Sequence, residues 1–155
     1  MNSSVDIRQA IPGDVPVLAG LLHQLFSIEQ DFHPDPEKQR RGLALLLASS
    51  QARVFVAEHE GQVVGMLTLQ ILVSTAQGGP VGLVEDVVVD AAHRGQGIGG
   101  AMLEHLRQWS LRRGLSRLQL LADRDNERAL AFYRKQGWTT TELIGLRLLQ
   151  HPPDR

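Results

Sequence analysis

The stretch that most constrains this chain is Leu83-Val84-Glu85-Asp86-Val87-Val88-Val89-Asp90-Ala91-Ala92-His93-Arg94-Gly95-Gln96-Gly97-Ile98-Gly99-Gly100. Its first half is rich in β-branched residues and reads as a strand, and its middle reads as a short turn. The glycine-rich end runs into Ile98, Ala101, Met102, Leu106 and Trp109, which mark the buried face of a helix ending near Gly114. Strand, loop and helix in that order place a helix N-terminus, with its unpaired backbone N–H groups, beyond the strand's end. Such an end is a ready-made phosphate site.

The remainder reads as support for that unit. Val5 to Gln9 alternates as a first strand, Pro12-Gly13-Asp14 breaks it, and Asp14 is placed to cap an amphipathic helix over about 15–30 on Leu18, Leu21, Leu22 and Leu25. Pro34 and Pro36 hold a loop, after which a helix from about Glu37 to Ser49 buries Leu43, Leu46 and Leu47. Arg53 to Glu58 and Val63 to Val73 read as a hairpin about Glu60-Gly61-Gln62, with Gly65 marking a bulge or a close backbone approach. Past the long helix, 115–122 alternates as a strand and Asn126 caps a helix from Glu127 to Gln136, with Gly137 at its C-terminal end. Segments 138–142 and 143–149 read as two closing strands, and 151–155 as a frayed tail. The order β-α-α-β-β-β-α-β-α-β-β predicts one α/β domain with a mixed sheet covered by helices.

Composition narrows the class. The 155 residues suit one domain with a real core, and a formal net charge of −1 gives no bulk attraction to nucleic acid or membrane. The absence of cysteine removes disulfides, thiolate metal ligands and a thiol nucleophile. The six histidines, His23, His33, His59, His93, His105 and His151, show no metal-ligand spacing, so no metal is expected. The N-terminal residues lack a signal-peptide pattern, and no apolar run approaches the roughly 20 residues of a membrane span. A cytoplasmic protein is expected.

Gly95-Gln96-Gly97-Ile98-Gly99-Gly100 fits G-x-G-x-x-G, a dinucleotide fingerprint, but in the wrong place. In a dinucleotide fold the glycines follow the first strand almost directly. Here the five residues Asp90 to Arg94 intervene, and some 80 residues come first. Four glycines in six residues behind Arg94 still favour a phosphate ligand over a plain tight turn.

Arg94-Gly95-Gln96-Gly97-Ile98-Gly99 resembles the R/Q-x-x-G-x-G/A signature of the GNAT superfamily of N-acetyltransferases. Downstream, Asn126-Glu127-Arg128-Ala129-Leu130-Ala131-Phe132-Tyr133-Arg134-Lys135-Gln136-Gly137-Trp138 resembles that superfamily's N-x-x-A-x-x-F-Y-x-x-x-G-F/W segment. Glu85-Asp86-Val87-Val88-Val89 is also similar to the strand of diamine (spermidine/spermine-type) and glucosamine-6-phosphate acetyltransferases. The resemblance implies a mixed, mostly antiparallel sheet of about seven strands, splayed between the fourth and fifth and flanked by about four helices. It further implies acetyl-CoA as co-substrate, held in the gap between strands 83–90 and 115–122. Val87, Val88 and Val89 would meet the pantetheine arm through their backbone. Gly95, Gln96, Gly97, Ile98, Gly99 and Gly100 would hold the pyrophosphate, with Arg94 adding charge. Asn126 would contact the pantetheine side, cap its helix, or do both.

Acetyl transfer to a primary amine of pKa about 10.4 needs a base. Glu85 and Asp86 are the candidates; the resemblance favours Glu85, whose alternative is an ion pair with a nearby arginine. Tyr133, the only tyrosine, stands where the superfamily keeps the acid that protonates the leaving thiolate, and its plain alternative is a core residue with a solvated hydroxyl. Without cysteine, direct transfer in a ternary complex is expected over an acyl-enzyme, with a backbone N–H of 87–89 stabilising the tetrahedral intermediate. The acceptor is expected to be a small-molecule amine or a peptide. Glu29, Asp31, Asp35 and Glu37 beside Phe26, Phe32 and His33 suit a cationic polyamine, amino acid or aminoglycoside, unless they form only a solvated loop. Lys38, Arg40 and Arg41 could instead receive an amino sugar phosphate. Homodimers built through the final strands are common in the superfamily. Two other classes stay open on sequence: an acyl-CoA-binding sensor without catalysis, and a nicotinamide-dinucleotide enzyme.

Overall fold

A computed structural model describes residues 4–28 and 33–151. Five strands form one sheet in the order β1 (Asp6–Gln9), β2 (Ala52–His59), β3 (Gln62–Ser74), β4 (Gly79–Val89) and β5 (Leu118–Gln119). The first three pairings are antiparallel and β4–β5 is parallel. Neighbouring residues of β2 show how the faces divide. Phe55 and Ala57 join a core with Met102, Leu106 and Trp109 of α3 (Ile98–Arg112). Val54 and Val56 join a second core with Leu18 and Leu22 of α1 (Val15–Ile28) and Leu43 of α2 (Pro36–Ala48). This is the period-2 alternation of a strand buried on both faces. A fourth helix, α4 (Glu127–Lys135), lies against the start of α3.

Two strands carry an extra residue. The β2–β3 register shifts between Ala57 and Glu58, and the β3–β4 register shifts between Met66 and Thr68. In β4 the extra residue falls at Asp86-Val87, which together face Leu67. Gly65 fulfils the close-approach expectation, since a Cβ there would sit 3.2 Å from the Met102 side chain and 3.3 Å from the Val88 carbonyl oxygen. Asp14 ends a short 3-10 turn, Pro12–Asp14, and its carboxylate accepts from the Ile11 N–H and from Arg8. The hydrogen bonds of the Arg8 guanidinium hold that carboxyl below the usual range.

The seven-strand expectation is corrected to five. Of 115–122, only Leu118 and Gln119 enter the ladder, opposite Gly82 and Leu83. The segments 138–142 and 143–149 form no strand. A strand exists through its partner's hydrogen bonds, and a two-residue β5 offers little edge to a sixth. The β-prone residues there lie uncovered, with Leu146 90% and Leu148 83% exposed. Residues 152–155 of the expected frayed tail lie outside the described residues.

Candidate active site

The β4 bulge sets which side chains of this strand are enclosed. A regular strand would continue the alternation of Val84, but the extra residue reverses it, so Val88 packs with α1 and α2 while Val87 and Val89 pack on the α3 core. Asp86 takes the turn of the bulge at φ +55°, a left-handed conformation that Asp tolerates better than most residues. Its side chain enters a cavity of about 290 Å³ between the sheet and helices α1 and α2. The Thr68 hydroxyl lies 3.1 Å from the Glu85 carbonyl oxygen and 3.2 Å from Asp86 Oδ2. Burial, reinforced by the neighbouring Glu85 charge, pushes the Asp86 carboxyl up to about 6. Glu85 itself faces solvent.

The same strand leads to the glycine-rich loop. After Val89, a 3-10 turn (Ala91–His93) brings the chain to Arg94, whose Nε donates to the Val89 carbonyl oxygen at 3.0 Å. Gly95 and Gly97 are left-handed at φ +79° and +81°, and Gly97 is the N-cap of α3. A Cβ at either would meet nothing within 4 Å, so these two glycines serve backbone conformation. Gly99 and Gly100 serve packing instead. A Cβ there would lie 3.0 Å from Phe132 Cζ and 3.2 Å from Gln136 Nε2, both belonging to the α4 region. Gln96 and Ile98 fill the places between, with Ile98 buried. The loop thus offers the first-turn N–H groups of α3, two left-handed glycines and one guanidinium, a donor set that fits a pyrophosphate. Beyond Leu83, β5 no longer pairs with β4, which leaves the β5-facing edge of Val87, Val88 and Val89 outside the ladder.

Tyr133 sits on α4, half-buried, with its ring 5.2 Å from Phe132 and 6.0 Å from Trp138. It lines a different cavity, about 620 Å³, with β5, α3 and the 138–144 segment. Asp86 and Tyr133 therefore approach from opposite faces of the sheet and share neither cavity. The Asn126 side chain accepts from the Ala129 N–H at 3.1 Å, so its capping role is observed. Among the described residues, no three His, Cys, Asp or Glu side chains gather as a metal site, and no helix is long and apolar enough to cross a membrane. Of the expected acceptor residues, Glu29, Asp31 and Phe32 lie outside the described residues; Phe26, His33, Asp35 and Lys38 line the smaller cavity, while Glu37, Arg40 and Arg41 are not among its lining residues.

Residues 22–138 match the Acetyltransferase (GNAT) family. The chain belongs to that family. Its sequence is 36% identical over 91 residues to a glucosamine 6-phosphate N-acetyltransferase of Trypanosoma brucei brucei, covering 58% of this chain and 60% of the relative. It is 28% identical over 146 residues to an aminoglycoside N(6')-acetyltransferase type 1 of Stenotrophomonas maltophilia, covering 92% of this chain and 91% of that one. Among solved structures it is similar to a putative acetyltransferase from Agrobacterium tumefaciens, with a TM-score of 0.80, 27% identity and coverage of 94% of this chain and 99% of that one. GNAT enzymes transfer an acetyl group from acetyl-CoA to amines.

Within this GNAT domain, one element had no signal in the sequence. Gln24 of α1 spans to the turn before the glycine loop, where Nε2 donates to Asp90 Oδ1 at 2.9 Å and Oε1 accepts from the Ala91 N–H at 3.1 Å. Asp90 Oδ2 accepts from the Ala92 N–H at 3.3 Å and lies 2.9 Å from His93 Nδ1. Those bonds, the Gln24 amide first, hold the Asp90 carboxyl below its usual range. The partners lie 66 residues apart, so no local periodicity could have joined them.

Proposed function

We propose that this chain is an acetyl-CoA-dependent N-acetyltransferase that acts by direct transfer on a small-molecule primary amine. The observation that carries this reading is the β4 bulge. One strand presents backbone towards the splayed donor gap at Val87, Val88 and Val89, and a carboxylate to an amine-sized cavity at Asp86.

The physical roles follow. An arriving ammonium is drawn to Asp86 and gives up its proton there, and a carboxyl raised to about 6 is a stronger base than an ordinary one. Between the two acidic residues the cavity favours Asp86; Glu85 stays beside it at the surface, where it tunes the charge and can relay the proton to water. A backbone N–H of the 87–89 strand stabilises the developing oxyanion. Tyr133 returns a proton to the departing thiolate, a role supported by its place in the second motif and beside the large cavity under β5. The glycine loop and Arg94 hold the pyrophosphate of the co-substrate.

The test is CoA release from acetyl-CoA with a panel of amines, repeated for Asp86→Asn, Glu85→Gln and Tyr133→Phe. Loss of turnover in Asp86→Asn and Tyr133→Phe with acetyl-CoA binding intact is the expected result. Unchanged turnover in both variants would overturn the mechanism. Binding of acetyl-CoA without release towards any amine would identify a sensor instead.

A further inference from the structure

We infer that the acceptor is a primary amine on a short apolar stem, alkyl or aryl, in preference to an amino sugar, an aminoglycoside or a polyamine. This rests on the N-acetyltransferase reading and names the substrate class of that same site.

Three observations carry it. First, the walls near Asp86 are mostly hydrocarbon: Leu22, Phe26, Leu43 and Leu46, with Gly42 beside them; the amide of Gln39, which also lines the cavity, is engaged by the Asp35 backbone. Leu22 and Leu43 are 3% and 1% exposed, so these walls belong to the buried core, while His33 and Lys38 stand exposed. Sugar hydroxyls need a partner each when they leave water, and leucines offer none. A second ammonium held among these leucines would lose its water at greater cost, with Asp35, already accepting from the Lys38 N–H, as the one other carboxylate among the described lining residues. Second, Asp35 is already engaged as the N-cap of α2, accepting from the Lys38 N–H, and Arg40 and Arg41 do not reach the cavity. Among the described residues, a phosphate would find only the exposed Lys38 and His33 as lining cations. Third, the volume of about 290 Å³ stands at the foot of the ~300–1,000 Å³ range of small-molecule sites, which suits one ring or a short chain.

Gly42 supplies the probe. It lies in α2, and a Cβ there would meet nothing within 4 Å, so a larger side chain can grow into the cavity without striking the core. The experiment measures CoA release from acetyl-CoA with 2-phenylethylamine, n-butylamine, ethylamine, spermidine, glucosamine 6-phosphate and an aminoglycoside, using the full chain and its Gly42→Leu and Leu46→Ala variants. Acetyl-CoA affinity is measured for each by titration, which also reports that the variant is folded.

The expected result is highest kcat/KM for phenylethylamine and butylamine. Gly42→Leu should lower it roughly 10- to 100-fold for phenylethylamine and far less for ethylamine, at unchanged acetyl-CoA affinity. Leu46→Ala should shift preference towards the larger stem. Highest kcat/KM for the aminoglycoside, the sugar phosphate or spermidine would overturn the inference and leave the N-acetyltransferase reading standing. An equal loss across all acceptors in Gly42→Leu would overturn the assignment of this cavity to the acceptor. No release with any amine, at intact acetyl-CoA binding, would overturn both readings.

Discussion

The donor half and the acceptor half of this molecule are built from different materials. The proposed donor half, from Val87 to the first turn of α3, offers backbone: two left-handed glycines, a helix N-terminus and a strand edge left outside the ladder. The proposed acceptor half offers side chains: one half-buried carboxylate and a wall of leucines on α1 and α2. Backbone groups are common to every residue, so the donor half tolerates exchange wherever φ and, at Gly99 and Gly100, the packing of α4 permit it. Side-chain chemistry changes with every substitution, so specificity can drift on α1 and α2 while the co-substrate stays the same.

Variants can break that division. Asp86→Asn should have the largest effect, a fall in kcat of about 10²- to 10⁴-fold, the range for a lost general base. Acetyl-CoA affinity, measured by titration calorimetry, should not move; a parallel loss of affinity would mean the halves are not separable. As the proposed base, the same residue should set the acid limb of the pH profile. Asp86 is the active base only when ionised, so acceptor kcat/KM should fall about tenfold per pH unit below about 6, and Asp86→Asn should remove that limb.

On the donor side, Gly97→Val forces a branched side chain into φ +81°. The left-handed penalty of about 1–2 kcal/mol predicts acetyl-CoA binding weaker by roughly 5- to 30-fold, with the order of acceptor preference unchanged. Asp86 also makes a stability statement. A carboxyl raised in the folded state binds its proton more tightly there than in the unfolded chain. Its contribution is therefore complete at pH below the ordinary carboxylate range and is lost as pH rises through about 6. Asp86→Asn should then be more stable than the parent at pH 7, by about 1–3 kcal/mol in denaturant unfolding, while nearly inactive. Smallest is Gln24→Ala, which removes the two bonds to the Asp90 turn. About 1 kcal/mol of lost positioning should raise the acetyl-CoA KM several-fold and leave kcat in place.

The sequence was informative where function is local. The strand–glycine–helix unit, the first four strands, all four helices and the capping role of Asn126 follow from periodicity, turn chemistry and propensity. It was misleading where a residue's state depends on a distant partner. Residues 143–149 carry strand propensity, but propensity without an edge to pair with forms no strand. Simple alternation put Glu85 and Asp86 on opposite faces; the bulge at 86–87, visible only through the register against Leu67, decides which of them is enclosed. The Gln24–Asp90 bridge is invisible for the same reason. The four glycines of the loop look alike in sequence, yet two set backbone torsion and two make room for α4.

The bulge in β4 carries a consequence for how such a site can arise. What distinguishes the strand is one residue more than its partner spans between Val84 and Val88. Deleting Val87 would restore a regular ladder with Val88 still opposite Met66, but it would set Asp86 opposite Leu67 and turn its carboxylate from the α1–α2 side to the α3 side. No single substitution in a regular strand performs the reverse change. The chemistry at Asp86 is thus written in chain length, gained or lost by insertion and deletion rather than by gradual replacement.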